Sequence, residues 1–176
     1  LCRNFTTEDY HAGIQNWGIA QDQYGILHIA NNFGLLSFDG EEWSTTEIEG
    51  ATRIRAVYMD DRQQIYIGGQ GDFGYLTATD SGTSQFYSLK HLIPQQYRNF
   101  NEVWTIHEVG EAVYFCSFKY LFKYADGDIQ VIDPKATIGF AFSLSNRLYV
   151  KQDECGIAQL QGDKLLPLPQ AEFFKD

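Results

Sequence analysis

The sequence predicts an all-β chain, a β-propeller segment of about four four-stranded antiparallel blades. Three observations carry that prediction. Short apolar and aromatic runs of strand length recur along the 176 residues. Polar turns containing Gly, Asp or Asn separate them. The runs fall into units of about 40 residues, while helical periodicity is nowhere sustained.

The repeat is plainest at the second run of each unit. "ILHIA" (26–30), "QIYIG" (64–68), "AVYFC" (112–116) and "RLYVK" (147–151) start 38, 48 and 35 residues apart. About ten residues before each stands a first run: "WGIAQD" (17–22), "RAVYMD" (55–60), "VWTIHE" (103–108) and "GFAFSL" (139–144). The connections "DQYG", "DDRQQ", "EVGE" and "SLSN" are short and polar, which makes each pair a hairpin.

A third run follows a short loop: "LLSFD", "YLTAT", "LFKYA" and "IAQLQ". The turns "DGEE", "DSGT", "DGD" and "GDK" then lead to a fourth: "WSTTEI", "SQFYSL", "IQVID" and "LLPLP". The second unit is longer because "SLKHLIPQQYRNFN" (88–101) is expected to hold a short helical turn. The blades are placed at about 16–50, 51–101, 102–137 and 138–174 of a single propeller region, 1–176. One such sheet cannot bury both faces alone, so neighbouring blades must cover it. A sandwich or simple barrel would hold as many strands but would not require the four-part register.

Composition excludes several function classes. Hydrophobic residues make up 44% and aromatic residues 15%, as in a folded chain. The net charge of -10, without a Lys/Arg cluster, repels phosphate backbones, so this chain is not expected to bind nucleic acid. The longest apolar run, "IGFAFSL" (138–144), is far shorter than the ~18 residues that span a bilayer. "LCRNFTTEDY" lacks the apolar core of a signal peptide, leaving room for a mature chain whose signal has been removed. Cys2, Cys116 and Cys155 have no metal-ligand spacing, and the last two are expected to be small buried hydrophobes.

The first unit, "NWGIAQDQYGILHIANNFGLLSFDGEEW", resembles the two-component regulator propeller repeat. The matching residues are Trp17, Ile19, Asp22, Gly25, Leu27, Ile29, Gly34, Leu35, Phe38, Asp39 and Gly40, with His28 in place of the usual aromatic. "RNFTTEDYHAGIQNWGIAQD" also looks like the start of the periplasmic sensor region in that family. The second unit keeps Ile67, Gly68, Phe73 and Gly74, and the last two keep only the strand rhythm. The resemblance implies the N-terminal periplasmic sensor of a hybrid two-component or one-component transmembrane regulator. Tandem propellers, a membrane span and a histidine kinase or DNA-binding output would then lie in further sequence. Propellers of that family commonly have about seven blades. The four here would therefore either close by themselves or leave open blade edges, through which two copies would pair as a homodimer.

No catalytic constellation is expected. GxSxG is absent, and His11, His28, His91 and His107 lie in different units without metal-ligand spacing. His28 and His107 read as packed strand residues. The acidic pairs at 41–42, 60–61 and 153–154 read as solvated turns. "ADGDIQ" (125–130) lacks the spacing of a calcium loop and reads as a hairpin turn. "GGQGDFG" (68–74) lacks the Lys and helix of a P-loop. No metal and no cofactor are expected.

Binding is what remains. The loops joining second to third strands cluster at one end of a propeller. They offer Asn31, Asn32 and Phe33; Gln70, Asp72 and Phe73; Phe118, Lys119 and Tyr120; and Gln152, Asp153 and Glu154. Amides, carboxylates and aromatic rings together suit a carbohydrate-like small molecule or oligosaccharide. The expected function is a non-catalytic, periplasmic ligand sensor. A propeller glycosidase or lyase, or an interaction scaffold, are the alternatives.

Overall fold

The computed structural model describes residues 2–78, 84–153 and 155–175. It holds four separate four-stranded antiparallel meanders, each with its strands in sequence order, and these are propeller-type blades. They group two by two into compact units, Leu1–Ser88 and Leu89–Asp176.

In the first unit, β1 (Asn16–Gln21), β2 (Leu27–Asn31), β3 (Gly34–Phe38) and β4 (Trp43–Thr46) form one blade. The next is β5 (Ile54–Met59), β6 (Ile65–Gly69), β7 (Phe73–Ala78) and β8 (Ser84–Ser88). The turn expected at "DSGT" lies outside the described residues. Between the two sheets a core of Ala30, Leu35, Ile48, Ile54, Ile67 and Leu76 is closed to solvent. Facing sheets both present apolar side chains, which is why these strands read as unbroken apolar runs. Full burial of one such aliphatic side chain stabilises the fold by about 1.5–3 kcal/mol.

The first hairpins of this unit are built on a repeated aspartate. Asp22 Oδ1 accepts the backbone N–H groups of Tyr24 and Ile26, both at 2.9 Å. Thirty-eight residues on, Asp60 Oδ1 accepts those of Arg62 and Gln64 at 2.9 and 2.7 Å. This is the side-chain mimicry of a backbone turn that aspartate favours. Asp60 is consequently buried rather than solvated, which corrects the expectation for the 60–61 pair; Asp61 is exposed. Position 28 follows the same repeat. His28 Nε2 lies 3.6 Å from Asp22 Oδ2, where Tyr66 directs its hydroxyl to Asp60 Oδ2 at 3.4 Å.

In the second unit, β9 (Val103–Val109), β10 (Ala112–Ser117), β11 (Leu121–Ala125) and β12 (Asp128–Ile132) form one blade. The other is β13 (Ile138–Leu144), β14 (Arg147–Gln152), β15 (Gly156–Gln161) and β16 (Lys164–Pro167). Here the first hairpins turn in two residues, Gly110–Glu111 and Ser145–Asn146, with Ser145 and Asn146 both at positive φ. Asp126 and Gly127 form the same kind of turn, as expected for "ADGDIQ". The core comprises Ala112, Tyr114, Cys116, Leu121, Ile132, Ile138, Ala141, Leu148 and Val150. Burial pushes the Cys116 thiol up to about 12, so it stays protonated as a small hydrophobe. Cys155 is only half-buried, with Sγ 3.7 Å from Gln152 Oε1.

Each unit opens with a short helical lead-in that lays aromatic rings on its first blade. In the first, α1 (Thr7–Tyr10) and Phe5 bring two rings onto Phe38 and Trp43, with centroids 5.0–5.5 Å apart. In the second, the expected helical stretch is two 3₁₀ turns, Lys90–Leu92 and Gln95–Tyr97. Tyr97 and Phe100 meet Tyr120 and Phe122 edge-on at 5.2 and 5.0 Å.

His107 joins the two blades of the second unit. Its Nε2 lies 3.0 Å from the Ala141 carbonyl, which can only accept, so the ring donates there. Burial holds its pKa below the usual value near 6.5, because the charged ring would lose water. Above that value both folded and unfolded chains are neutral at this position. Below it the unfolded chain takes up the proton first, so stability falls with pH. Denaturant melts between pH 7.5 and 5.5 should show this acid loss, and His107→Gln should flatten part of it. Equal pH slopes in the two proteins would refute the assignment.

Candidate functional site

Every blade carries a one-residue bulge at the same place, near the start of its first strand. Asn16 pairs with Asn31 and Gly18 with Ala30, leaving Trp17 extra. The same step leaves out Arg55, Trp104 and Gly139 in the later blades. A bulge turns its residue away from the ladder and re-aims the side chain. These four residues thus sit beside the loops joining second to third strands, where the sequence places the binding site.

In the first unit Trp17, Arg55 and Asn32 form one knot. The Arg55 guanidinium lies over the Trp17 ring, 4.3 Å from its centroid. Asn32 Oδ1 accepts from Arg55 Nη1 at 2.8 Å and from Trp17 Nε1 at 3.0 Å. Asn32 Nδ2 donates to Gln15 Oε1 at 2.9 Å. Asn31 is fully buried and holds the lead-in: its Oδ1 accepts from Gly13 N and Phe33 N, both at 3.0 Å. Its Nδ2 donates to Gly13 O and Asn16 Oδ1, both at 2.7 Å.

Phe33 stands clear of these bonds and is 67% exposed. It borders an open cleft of about 480 Å³ with Thr7, Ala12, Ile14, Gln15 and Asn32.

The second loop of that unit is mostly turned inward. Gln70 is half-buried and accepts from Thr52 Oγ1 at 2.8 Å. Asp72 is buried, accepting from Phe73 N at 2.7 Å and from Ser88 Oγ at 2.8 Å. Phe73 is wholly within the core. Asn31, Asp72 and Phe73 therefore present no surface to a ligand.

The second unit repeats the pattern with different chemistry. Ser117 Oγ shapes the loop, accepting from Tyr120 N at 2.9 Å. Tyr120 is buried, and the exposed Lys119 places its ammonium 5.0 Å from the Tyr120 ring centroid. Phe118, Lys119 and Tyr120 border a cleft of about 520 Å³ that Asp133 and Lys135, paired at 2.6 Å, close on the far side. The ammonium of Lys135 beside Asp133 holds its carboxyl below the usual range, so the pair stays charged. Gln152 is buried, Asp153 is exposed, and Glu154 lies outside the described residues.

The structure thus brings Asn31, Asn32 and Phe33 together in one unit and Lys119 and Tyr120 in the other. The sequence reading missed Trp17, Arg55, Trp104 and Gly139. Their signal was positional, since each is the first or second residue of its first apolar run. Among the described residues no three His, Cys, Asp or Glu side chains stand close enough to hold a metal ion.

No protein-family model matches the sequence, and no curated protein matches it. Solved structures do. The chain is similar to the extracellular domain assigned to a one component system of B. thetaiotaomicron, at 20% identity and a TM-score of 0.62. That match covers 88% of this chain and 21% of the other, so the chain spans about a fifth of its length. A streptogramin B lyase matches at 17% identity and TM-score 0.66, over 88% of this chain and 55% of the lyase. The WD40 β-propeller domain of Doa1 matches at 18% identity and TM-score 0.61, over 85% and 52%. At these identities the likeness establishes the propeller fold.

Proposed function

We propose that this chain is a ligand-sensing propeller segment of an extracytoplasmic receptor domain, without catalysis of its own. The observation that carries the reading is the cleft beside Phe33. An exposed ring stands there next to the amides of Gln15 and Asn32, on a loop fixed by the buried Asn31. A rigid platform with one free ring and nearby amides suits the apolar face and hydroxyls of a carbohydrate-like ligand. The B. thetaiotaomicron extracellular domain supports the sensor reading, and a periplasmic location goes with it. None of the described residues forms a helix long and apolar enough to cross a membrane.

The test is a thermal-shift and calorimetric screen of mono- and oligosaccharides. One glycan class should raise the melting temperature, and Phe33→Ala should weaken its binding about tenfold, or ~1.4 kcal/mol. The glycan should be recovered unchanged. Its cleavage would favour a propeller hydrolase or lyase, and the absence of binding by any sugar would favour a protein-interaction scaffold.

A further inference from the structure

The orientation of one side-chain amide at the cleft beside Phe33 follows from its neighbours. Trp17 Nε1 and Arg55 Nη1 can only donate, so the atom of Asn32 that meets both must be its oxygen. Asn32 therefore turns Nδ2 toward Gln15, and the Gln15 atom that it meets at 2.9 Å must be the oxygen, Oε1. The Gln15 carbonyl is thus taken, and its NH₂ group is left to other partners. Among the described residues none accepts from that group, and Gln15 is exposed. The same cleft is lined by Ala12 and Ile14 of the lead-in and by the Phe33 ring. Ile14 is 84% exposed, and Phe33 Cδ1 lies 3.5 Å from where a Cβ on Gly13 would be, so the ring packs on the lead-in next to Ile14. None of the described residues that line the cleft is ionisable.

We propose that this cleft, on the reading of it as a glycan site, recognises an N-acetylated sugar by its acetamido group. A carbonyl oxygen needs a donor, and Gln15 Nε2 is the amide donor left at the cleft. The methyl group on the same carbonyl carbon needs an apolar seat beside that donor, which Ala12, Ile14 and Phe33 supply. The Thr7 hydroxyl lines the cleft as well and can accept from the acetamido N–H. A sugar hydroxyl in the same place would meet the donor but leave the apolar side chains against a polar oxygen or water. A carboxylate or sulfate would find no cation among the described lining residues and would enter against the chain's net charge of -10. The amine of a deacetylated sugar would set its own donors against the Gln15 N–H. At about 480 Å³ the cleft has room for the sugar ring as well as the group.

The experiment is calorimetry and NMR of the chain with methyl N-acetylglucosaminide, methyl glucoside, methyl glucosaminide and N-acetylglycine amide. The last carries the acetamido group without a sugar ring. The N-acetylated sugar should bind about tenfold tighter than either other sugar, the effect of one hydrogen bond and one seated methyl. Saturation of the Ile14 methyl signals should transfer to the acetyl methyl. Gln15→Glu should remove the preference, because one carboxylate oxygen still accepts from Asn32 while the other repels the acetamido oxygen. Ile14→Ala, at an exposed site that the fold tolerates, should lower the preference several-fold. Equal binding of the N-acetylated and plain sugars would overturn the proposal and leave the glycan reading standing. N-acetylglycine amide binding as tightly as the N-acetylated sugar would support the proposal and overturn the glycan reading. Binding of none of these probes, or a preference that survives both substitutions, would overturn the proposal.

Discussion

Asn31→Ala is expected to lower the stability of the first unit by about 3 kcal/mol, a larger loss than any exposed loop substitution would cause. The side chain is sealed from solvent and uses both ends of its amide. Alanine would leave the N–H and C=O of buried Gly13 unpaired, and each orphaned buried group costs about 1–3 kcal/mol. Phe33 N and Asn16 Oδ1 also lose partners, but both lie nearer solvent and can rehydrate. The melting temperature should fall by about 10 °C for a chain of this size. Asn31→Asp should be no milder, because it keeps the two bonds accepted by Oδ1 but sets a second, buried carboxylate oxygen against Gly13 O and Asn16 Oδ1. A melting temperature within about 2 °C of the parent would mean that the lead-in is not anchored here.

Gly74→Ala should be nearly as damaging, by a different route. Gly74 pairs with Ser88 across the β7–β8 ladder. A Cβ on it would overlap the Tyr87 carbonyl oxygen and stand 2.9 Å from its carbon. Those are backbone atoms, which cannot swing aside as a side-chain tip can. Glycine within a strand marks such a close approach. We expect a loss of about 3 kcal/mol, the upper end of overpacking. Detachment of β8 should accompany it, because Ser88 also anchors Asp72. Hydrogen exchange would show lost protection along Ser84–Ser88 while β2 and β3 stay protected. Unchanged exchange there would refute the close approach.

The fold was legible because the signals that set it are local. A turn aspartate, a hairpin glycine and short apolar runs each act within a few residues, and their recurrence multiplies the evidence. The step of 38 residues from Asp22 to Asp60 also explains why His28 packs like an aromatic: Tyr66 stands at the matching place. The candidate site was legible only as a set of loops. A polar residue after a strand reads alike whether its side chain faces ligand or core. Asn31 is claimed by Gly13, eighteen residues back, and Asp72 by Ser88, sixteen ahead. Such partners have no fixed spacing. The bulges were hidden for a similar reason, since an extra residue shows only against the strand it pairs with.

The four bulges also bear on how such a chain can change over generations. A residue outside the ladder contributes little to the pairing of its own strand, so its identity is released from the constraint that holds its neighbours. The four positions hold two tryptophans, an arginine and a glycine, yet the blades around them keep one register. New recognition chemistry can be sampled at small cost to folding at those of the points that are not, like Arg55, buried and hydrogen-bonded. A saturation library there should retain far more folded variants than one at Asn31, Asp72 or Gly74.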